Sequence, residues 1–346
     1  MHIWFNKSFS SVYTAIELLK QSDVEGNWII TYSNSNPHAV AGNVADRFVL
    51  EPAGLLGEDY LAWCLQVCRT QRVDIFWPGK QAQLIASHTA QFAALGTRVV
   101  SVASPEVLRL LDDKAAFCAD VDLPMAAPPQ SRLFASLEQF RLAYQELRGQ
   151  FPRLCVKPSK SVYGLGFSLL DEEQSSTQIL IQGEQYKIGL SDFERGLETI
   201  SECKPMLLME YLEGPEYSVD CVANQGQLIC AIPRKKSQIA GYGQKIDRHP
   251  VILESVKKLA QQYQLNGIFN VQFKETQGQV RLLEINARMS GGIGMACLAG
   301  PNLPSLVING MLHGFDQIEV PEIAYGMRVT DVATPIIINA PMVAHD

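Results

Sequence analysis

No apolar run in this sequence approaches the ~20 residues a bilayer-spanning helix needs; the longer stretches, such as Tyr60–Leu65 and Met206–Met209, end far short of it. The start has no basic region followed by an apolar core, because His2–Phe5 runs straight into Asn6 and Lys7. There is no C-x-x-C pair among the eight cysteines at 64, 68, 118, 155, 203, 221, 230 and 297, so we expect buried reduced thiols, not a disulfide or metal framework. These absences predict a cytoplasmic protein with no membrane partner. Charge is also scarce: 19% of residues are charged and the balance is −7, the wrong sign for a face that would grip phosphate backbones, so no nucleic-acid partner is expected. Long Gly, Ser or charge runs and internal repeats are missing too, which excludes disordered and fibrous classes. The six histidines fall in unrelated contexts and suggest no Ser-His-Asp or Cys-His set; His249, beside Arg248, is the one worth testing.

What the sequence does have is 346 residues of which 47% are apolar, enough for two or three packed units. Short β-branched and aromatic runs alternate with helix-length amphipathic runs over the first hundred residues, which predicts a doubly wound parallel sheet. Strands are expected at His2–Phe5, Trp28–Tyr32, Arg47–Leu50, Asp74–Trp77 and Arg98–Val102, and helices at Val12–Gln21, Tyr60–Thr70 and Ala82–Leu95. Asn6, Lys7, Ser8 and Ser10 stand where a G-x-G-x-x-G fingerprint would follow the first strand, so no NAD site is expected there. Ser104-Pro105-Glu106 opens a helix running to about Ala119. After the prolines at 124, 128 and 129 we expect a helix at Ser136–Gly149 and strands at Leu154–Lys157, Met206–Tyr211 and Tyr217–Ala223. The Asn224-Gln225-Gly226 turn leads into Gln227–Ile232, Arg234–Asp247 reads as a mobile polar loop, and Pro250–Tyr263 reads as a helix. Strands Ile268–Lys274 and Val280–Ile285 flank the turn at Gln277-Gly278.

The chemistry concentrates in F-N-V-Q-F-K-E-T-Q-G-Q-V-R-L-L-E-I-N-A-R-M-S-G-G. Two strands joined by a tight turn bring Gln272 beside Glu284 and Asn286, and period-2 alternation predicts Glu284, Asn286 and Arg288 on one face. One carboxylate and two amide oxygens suit magnesium held together with substrate phosphates and do not suit zinc. Ser290, Gly291 and Gly292 precede a small-residue helix; they read either as backbone donors to a substrate carboxylate at a positive helix end or as a packing pair of glycines.

On these residues the chain resembles the ATP-grasp superfamily. E-I-N-A-R-M-S-G-G is similar to the metal-binding strand of carbamoyl phosphate synthase and related carboxylate–amine ligases. V-K-P at Val156–Pro158 followed by S-K-S-V-Y-G-L-G-F is similar to the family's phosphate lysine and glycine loop, which implies nucleotide contacts from Lys157, Ser161, Gly164 and Gly166. Asp113-Lys114 resembles the family's earlier D-K pair, so Lys114 is implied as a second phosphate lysine. In M-E-Y-L-E-G-P-E-Y-S-V-D the resemblance assigns Glu210 and Leu212 to adenine and Glu216 to ribose. Arg288 is implied as the catalytic cation, and Arg234, in the basic segment bordering the acceptor site, as another. The loop departs from the family pattern in having bulky Tyr163 and Phe167, and Gln272 stands where many relatives have an acid. The chain is also similar to ATP-grasp proteins of stress-resistance gene clusters.

The resemblance implies an α/β fold class: an N-terminal doubly wound parallel-sheet domain, then a two-subdomain ATP-grasp fold with an α+β lid and an α+β core. The expected divisions are 1–104 for the N-terminal α/β domain, 105–212 for linker helix and lid, and 213–346 for the core with the metal site. ATP and Mg2+ (or Mn2+) are the implied cofactors, small-molecule carboxylates and amines the implied substrates, and a homodimer the implied assembly. The implied reaction is ligation through an acylphosphate. An ATP-binding regulatory or accessory protein, and phosphate or nucleotidyl transfer without ligation, stay open at this point.

Overall fold

His2–Phe5 is buried along its whole length, as a central strand covered on both faces should be. In the computed structural model, which describes residues 1–8, 11–161, 164–239 and 241–338, this segment is β1 of a five-stranded sheet. Its companions are β2 (Ile29–Asn34), β3 (Arg47–Leu50), β4 (Ile75–Trp77) and β5 (Arg98–Val99). The order β3-β2-β1-β4-β5 with parallel pairing throughout is doubly wound, as the alternation predicts. Helices α1 (Ser11–Ser22) and α2 (Gly57–Gln71) fall where expected, but the single helix predicted over Ala82–Leu95 is two, α3 (Ala82–Ser87) and α4 (Thr89–Ala93). The break is His88, at φ −123° and ψ 21°.

A second division matters more for chemistry. The helix predicted from Ser104 to Ala119 is α5 (Pro105–Asp112) followed by α6 (Lys114–Asp120). Asp113 between them is extended, and its carboxylate accepts from the N–H groups of Ala115 and Ala116 at 3.1 and 3.3 Å. Those are orphan donors of a new helix, so the aspartate acts as an N-cap and makes Lys114 the first helical residue.

By compactness the chain divides into two units. The first holds Met1–Arg109, Pro215–Gln272 and the chain from Ile285 onward; the second holds Leu110–Gly214 and Phe273–Glu284. The second unit contains a sheet of β6 (Ser131–Phe134), β7 (Leu154–Pro158), β8 (Ser168–Asp171), β9 (Lys187–Gly189) and β10 (Met206–Glu210), ordered β6-β10-β7-β8-β9. Helices α7 (Leu137–Arg148), α8 (Ser176–Ile181) and α9 (Leu190–Thr199) accompany it. Phe134, Phe140, Leu147, Leu154, Val156 and Leu208 form its core. The sequence reading did not extract β6, β8, β9, α8 or α9, which are short and half polar.

The remaining strands are β11 (Glu216–Asn224), β12 (Gln227–Lys236), β13 (Gln244–Ile246), β14 (Gly267–Thr276), β15 (Gln279–Asn286) and β16 (Arg328–Val329). They form a sheet ordered β15-β14-β11-β12-β13-β16, with α10 (Pro250–Gln262), α11 (Ile293–Cys297) and α12 (Leu303–His313). One correction concerns Arg234–Asp247. It is not a mobile loop from end to end: Arg234 to Lys236 continue β12, and Gln244–Ile246 pairs with them as β13. The cause is the burial of Arg234, which anchors both strands. Within the first unit a single apolar cluster joins Ile3, Val12, Ile16 and Leu19 to Ile232, Ile268, Ile293, Leu303 and Val307. Each fully buried aliphatic side chain there contributes roughly 1.5–3 kcal/mol.

Candidate functional site

In the second unit the D-K pair, the V-K-P strand and Glu284 converge. Asp113, besides capping α6, accepts from the Ser159 hydroxyl at 2.5 Å, and the backbone N–H of Lys114 donates to the Ser159 carbonyl at 3.0 Å. Burial works against the Asp113 carboxylate, but the bonds from Ser159, Ala116 and Ala115 outweigh it and hold the group below its usual range. The cap thereby fixes where the lysine beside it points. Lys114, 8% exposed, places its Nζ 2.7 Å from the Ser161 carbonyl and 3.6 Å from the Glu284 carboxylate. Lys157, on β7, is pushed below the ordinary lysine range chiefly by burial; Glu284 opposes that shift and Lys114 adds to it. Lys114 is thus paired with Glu284, and Lys157 lies near enough for both charges to act on it. Gly164 and Gly166 have φ of +67° and +79°, and a Cβ on Gly166 would lie 2.8 Å from the Pro158 ring. Val162 and Tyr163 of this loop lie outside the described residues.

Glu210, at the end of β10, is 5% exposed, and its Oε1 has no hydrogen-bond partner among the described residues; Arg281 Nε lies 3.7 Å away. Leu212, two residues on, is 4% exposed, and the Tyr211 ring between them faces the Arg153 guanidinium at 4.6 Å and the Lys274 ammonium at 5.1 Å. Burial raises the Glu210 carboxyl above its ordinary range, with Arg281 opposing. A carboxyl raised in the folded state contributes stability that is present below the ordinary carboxylate range and lost as pH rises through the folded value. Glu210→Gln, which cannot ionise, is therefore expected to gain melting temperature relative to the parent as pH rises above the ordinary carboxylate range of about 4. A pH-independent difference between the two melting curves would refute this electrostatic account.

In the first unit the candidates gather around a buried ion pair. Arg234 is 2% exposed and Asp220 fully buried. The guanidinium donates to Asp220 Oδ2 from Nη2 at 2.8 Å and from Nε at 3.1 Å, to Ser218 Oγ at 3.1 Å, to Ser290 Oγ at 3.0 Å, and to Gln244 Oε1. Asn270 Nδ2 donates to Asp220 Oδ1 at 3.2 Å, completing the cluster. Gly292 is glycine for a packing reason: a Cβ there would lie 2.5 Å from Arg234 Nη1. Arg234 is a buried cation with its charge matched by Asp220. The helix that follows Ser290–Gly292, α11, spans five residues, and the Gly292 N–H is directed at Ser290 Oγ, 3.1 Å away.

Asn286 ends β15, and Arg288 lies beyond it, so strand alternation does not place Arg288. A turn does, through its N–H bonded to the Asn286 carbonyl at 2.7 Å and its Nη2 donating to Asn286 Oδ1 at 3.2 Å. Gln272 lies on β14, half-buried. Glu216 accepts from Lys236 Nζ at 2.5 Å. His249 caps α10, accepting from the Ile252 N–H at 3.4 Å. Gln272 and Asn286 belong to the first unit and Glu284 to the second, and no cluster of three or more His, Cys, Asp or Glu residues among the described residues is placed to hold a metal. All eight cysteines are unpaired thiols, and no helix among the described residues is long and apolar enough to cross a membrane.

The sequence reading missed Ser218, Asp220, Asn270 and Gln244. Asp220 left a signal, an acid inside the apolar run Val219 to Ala223, since a buried carboxylate requires a partner.

Comparison with solved structures gives a TM-score of 0.67 to the ADP complex of N5-carboxyaminoimidazole ribonucleotide synthetase, at 12% identity over 94% of this chain and 79% of that one. The chain has the ATP-grasp fold. A second ATP-grasp neighbour is the biotin carboxylase domain of 2-oxoglutarate carboxylase from Hydrogenobacter thermophilus, solved as a dimer with MgADP, ADP and bicarbonate. It aligns with a TM-score of 0.64 at 13% identity, covering 94% of this chain and 72% of that one. Residues 202–335 match a family model described as ATP-grasp in the biosynthetic pathway with Ter operon. The large chain of carbamoyl phosphate synthase from Clostridium beijerinckii is 24% identical over 315 residues, which is 84% of this chain and 27% of that protein. The chain therefore spans about a quarter of the length of that relative.

Proposed function

We propose that this chain is an ATP- and Mg2+-dependent ligase that activates a carboxylate as an acylphosphate for attack by an amine or similar nucleophile. The observation that carries the reading is the ion pair of Lys114 with Glu284, beside the buried Lys157, at positions that resemble the phosphate lysines and metal acid of the ATP-grasp pattern. The neighbours solved with ADP and MgADP support the choice of ligand.

The roles follow from chemistry. Lys114 and Lys157 offset the negative charge of the triphosphate, and backbone groups of Ser161, Gly164 and Gly166 approach it closely. Glu284 with the amide oxygens of Gln272 and Asn286 would hold Mg2+, whose chemistry there is neutralisation of phosphate charge. Glu210 and Leu212 border the adenine, and Glu216 exchanges Lys236 for the ribose hydroxyls. A carboxylate oxygen of the acid attacks the terminal phosphorus as the bond to the ADP oxygen breaks. The amine nitrogen then attacks the acyl carbon, phosphate leaves with the electron pair, and the amine proton passes to solvent. Arg288, beside Asn286, stabilises the transferring phosphoryl group, an effect of roughly 3 kcal/mol for one preorganised donor.

The test is phosphate release over a matrix of acids and amines, with mass analysis of products. ADP and phosphate formed only when both acid and amine are present, with a condensation product, is the expected result. ATP bound without consumption under every pair would replace the ligase with a regulatory ATP-binding protein.

A further inference from the structure

Pro250, at the start of α10, has no backbone N–H, so the orphan donors of the first turn fall to Val251 and Ile252. Ile252 is 0% exposed, which shuts its N–H off from solvent. Its acceptor is Nδ1 of His249, 3.4 Å away. An accepting Nδ1 fixes the tautomer: the ring carries its proton on Nε2 and is neutral. Serine, threonine, aspartate and asparagine are the usual residues at such a cap, and none of them changes charge between roughly pH 5 and pH 8, as histidine does. Protonation leaves the ring two N–H donors and no acceptor, and sets a positive charge at the positive end of the helix. The surroundings hold a partner for that charge. The His249 ring meets the Tyr217 ring edge to face, with centroids 5.4 Å apart. Tyr217, on β11, is 1% exposed, and its hydroxyl lies 3.4 Å from Oδ2 of Asp247, in the turn that carries His249. The ammonium of Lys245 on β13 donates to Asp247 Oδ1 at 2.9 Å. The other charges around this turn are Lys235 of β12, 5.0 Å from the centre of the Tyr217 ring, and Arg248, over the Tyr325 ring at 5.9 Å. Asp247 is the one acid in this group.

We propose that His249 is a pH-sensitive cap: neutral, it accepts from Ile252 and closes the first turn of α10; protonated from solvent, it turns to the Asp247 carboxylate and releases that turn. The two states differ in one hydrogen bond and one ion pair, so the gap between them is small enough for a single proton to move the balance. The turn from Asp247 to His249 joins β13 to α10, and α10 packs on β12. Acid therefore loosens the junction between the β12–β13 pair and the helix behind it. The device stands on its own geometry and does not rest on the ligase reading.

The test follows hydrogen exchange of the Ile252 amide by NMR on the full chain without nucleotide, corrected for the intrinsic pH dependence of exchange, with the His249 ring signals titrated in the same samples. Protection of the wild-type amide should fall about fivefold from about pH 8 to about pH 5, the equilibrium worth of a typical cap, with a midpoint that coincides with the His249 titration. His249→Asn, which caps without changing charge, should hold protection constant over that range. Asp247→Asn keeps the cap, removes the acceptor of the charged ring, and should move the midpoint to lower pH. Wild-type protection that does not follow the ring, or a His249→Asn chain that keeps the wild-type pH dependence, would overturn the proposal. An unmoved midpoint in Asp247→Asn would overturn the exchange of partner. Because no nucleotide is present, none of these outcomes bears on the ligase reading, which the phosphate-release matrix judges separately.

Discussion

Glu284→Ala is expected to lower Mg2+-dependent ATP turnover by on the order of a thousandfold while the chain stays folded. Glu284 is the single ionised oxygen donor in the proposed set, since Gln272 and Asn286 contribute neutral amides. Removing it therefore deletes most of the electrostatic hold on a divalent cation. A metal's charge stabilisation in such a reaction is worth several kcal/mol, and each ~1.4 kcal/mol is a factor of ten in rate. The fold should survive because the Glu284 side chain is 22% exposed and its ion pair to Lys114, at 3.6 Å, is one of that lysine's two anchors; the other is the Ser161 carbonyl. Steady-state ADP formation against Mg2+ concentration checks this, with a thermal melt as the folding control. Turnover within a few fold of wild type would remove Glu284 from the metal site.

Asp220→Ala should have the largest effect on stability. It would strand a guanidinium that is 2% exposed, and breaking one side of a buried ion pair typically costs about 3–5 kcal/mol. All four tryptophans, at 4, 28, 63 and 77, lie in the first unit, so urea unfolding followed by tryptophan fluorescence reports the unit that holds the pair. The double variant Asp220→Leu with Arg234→Met should recover most of the loss, because it removes both charges and leaves apolar side chains in their place. A single variant as stable as the parent would mean the ion pair does not anchor β12 and β13.

Much of the scaffold could be read directly. His2–Phe5 and Arg47–Leu50 are strands with the expected bounds, because a short, bulky apolar run has few other ways to lie in a parallel sheet. Glu284 stands out by its place in an apolar strand, whereas Asp113, Lys114 and Lys157 stand out only through the resemblance to the ATP-grasp pattern. Arg234 shows where such reading stops. Within P-R-K-K it has the local composition of a solvated turn. What buries it are Asp220, 14 residues earlier, and Ser290, 56 residues later, with Gly292 leaving room for the guanidinium.

The sequence by itself determined the doubly wound start, the ATP-grasp pattern and the types of residue offered to a nucleotide, since all of these depend on neighbours a few positions apart. The tertiary structure decided which cation is spent on a buried acid, where Asp113 ends one helix and begins the next, and which way the Gln244 amide faces. Each of those depends on desolvation and hydrogen-bond valence among groups far apart in the chain, and local pattern does not encode that.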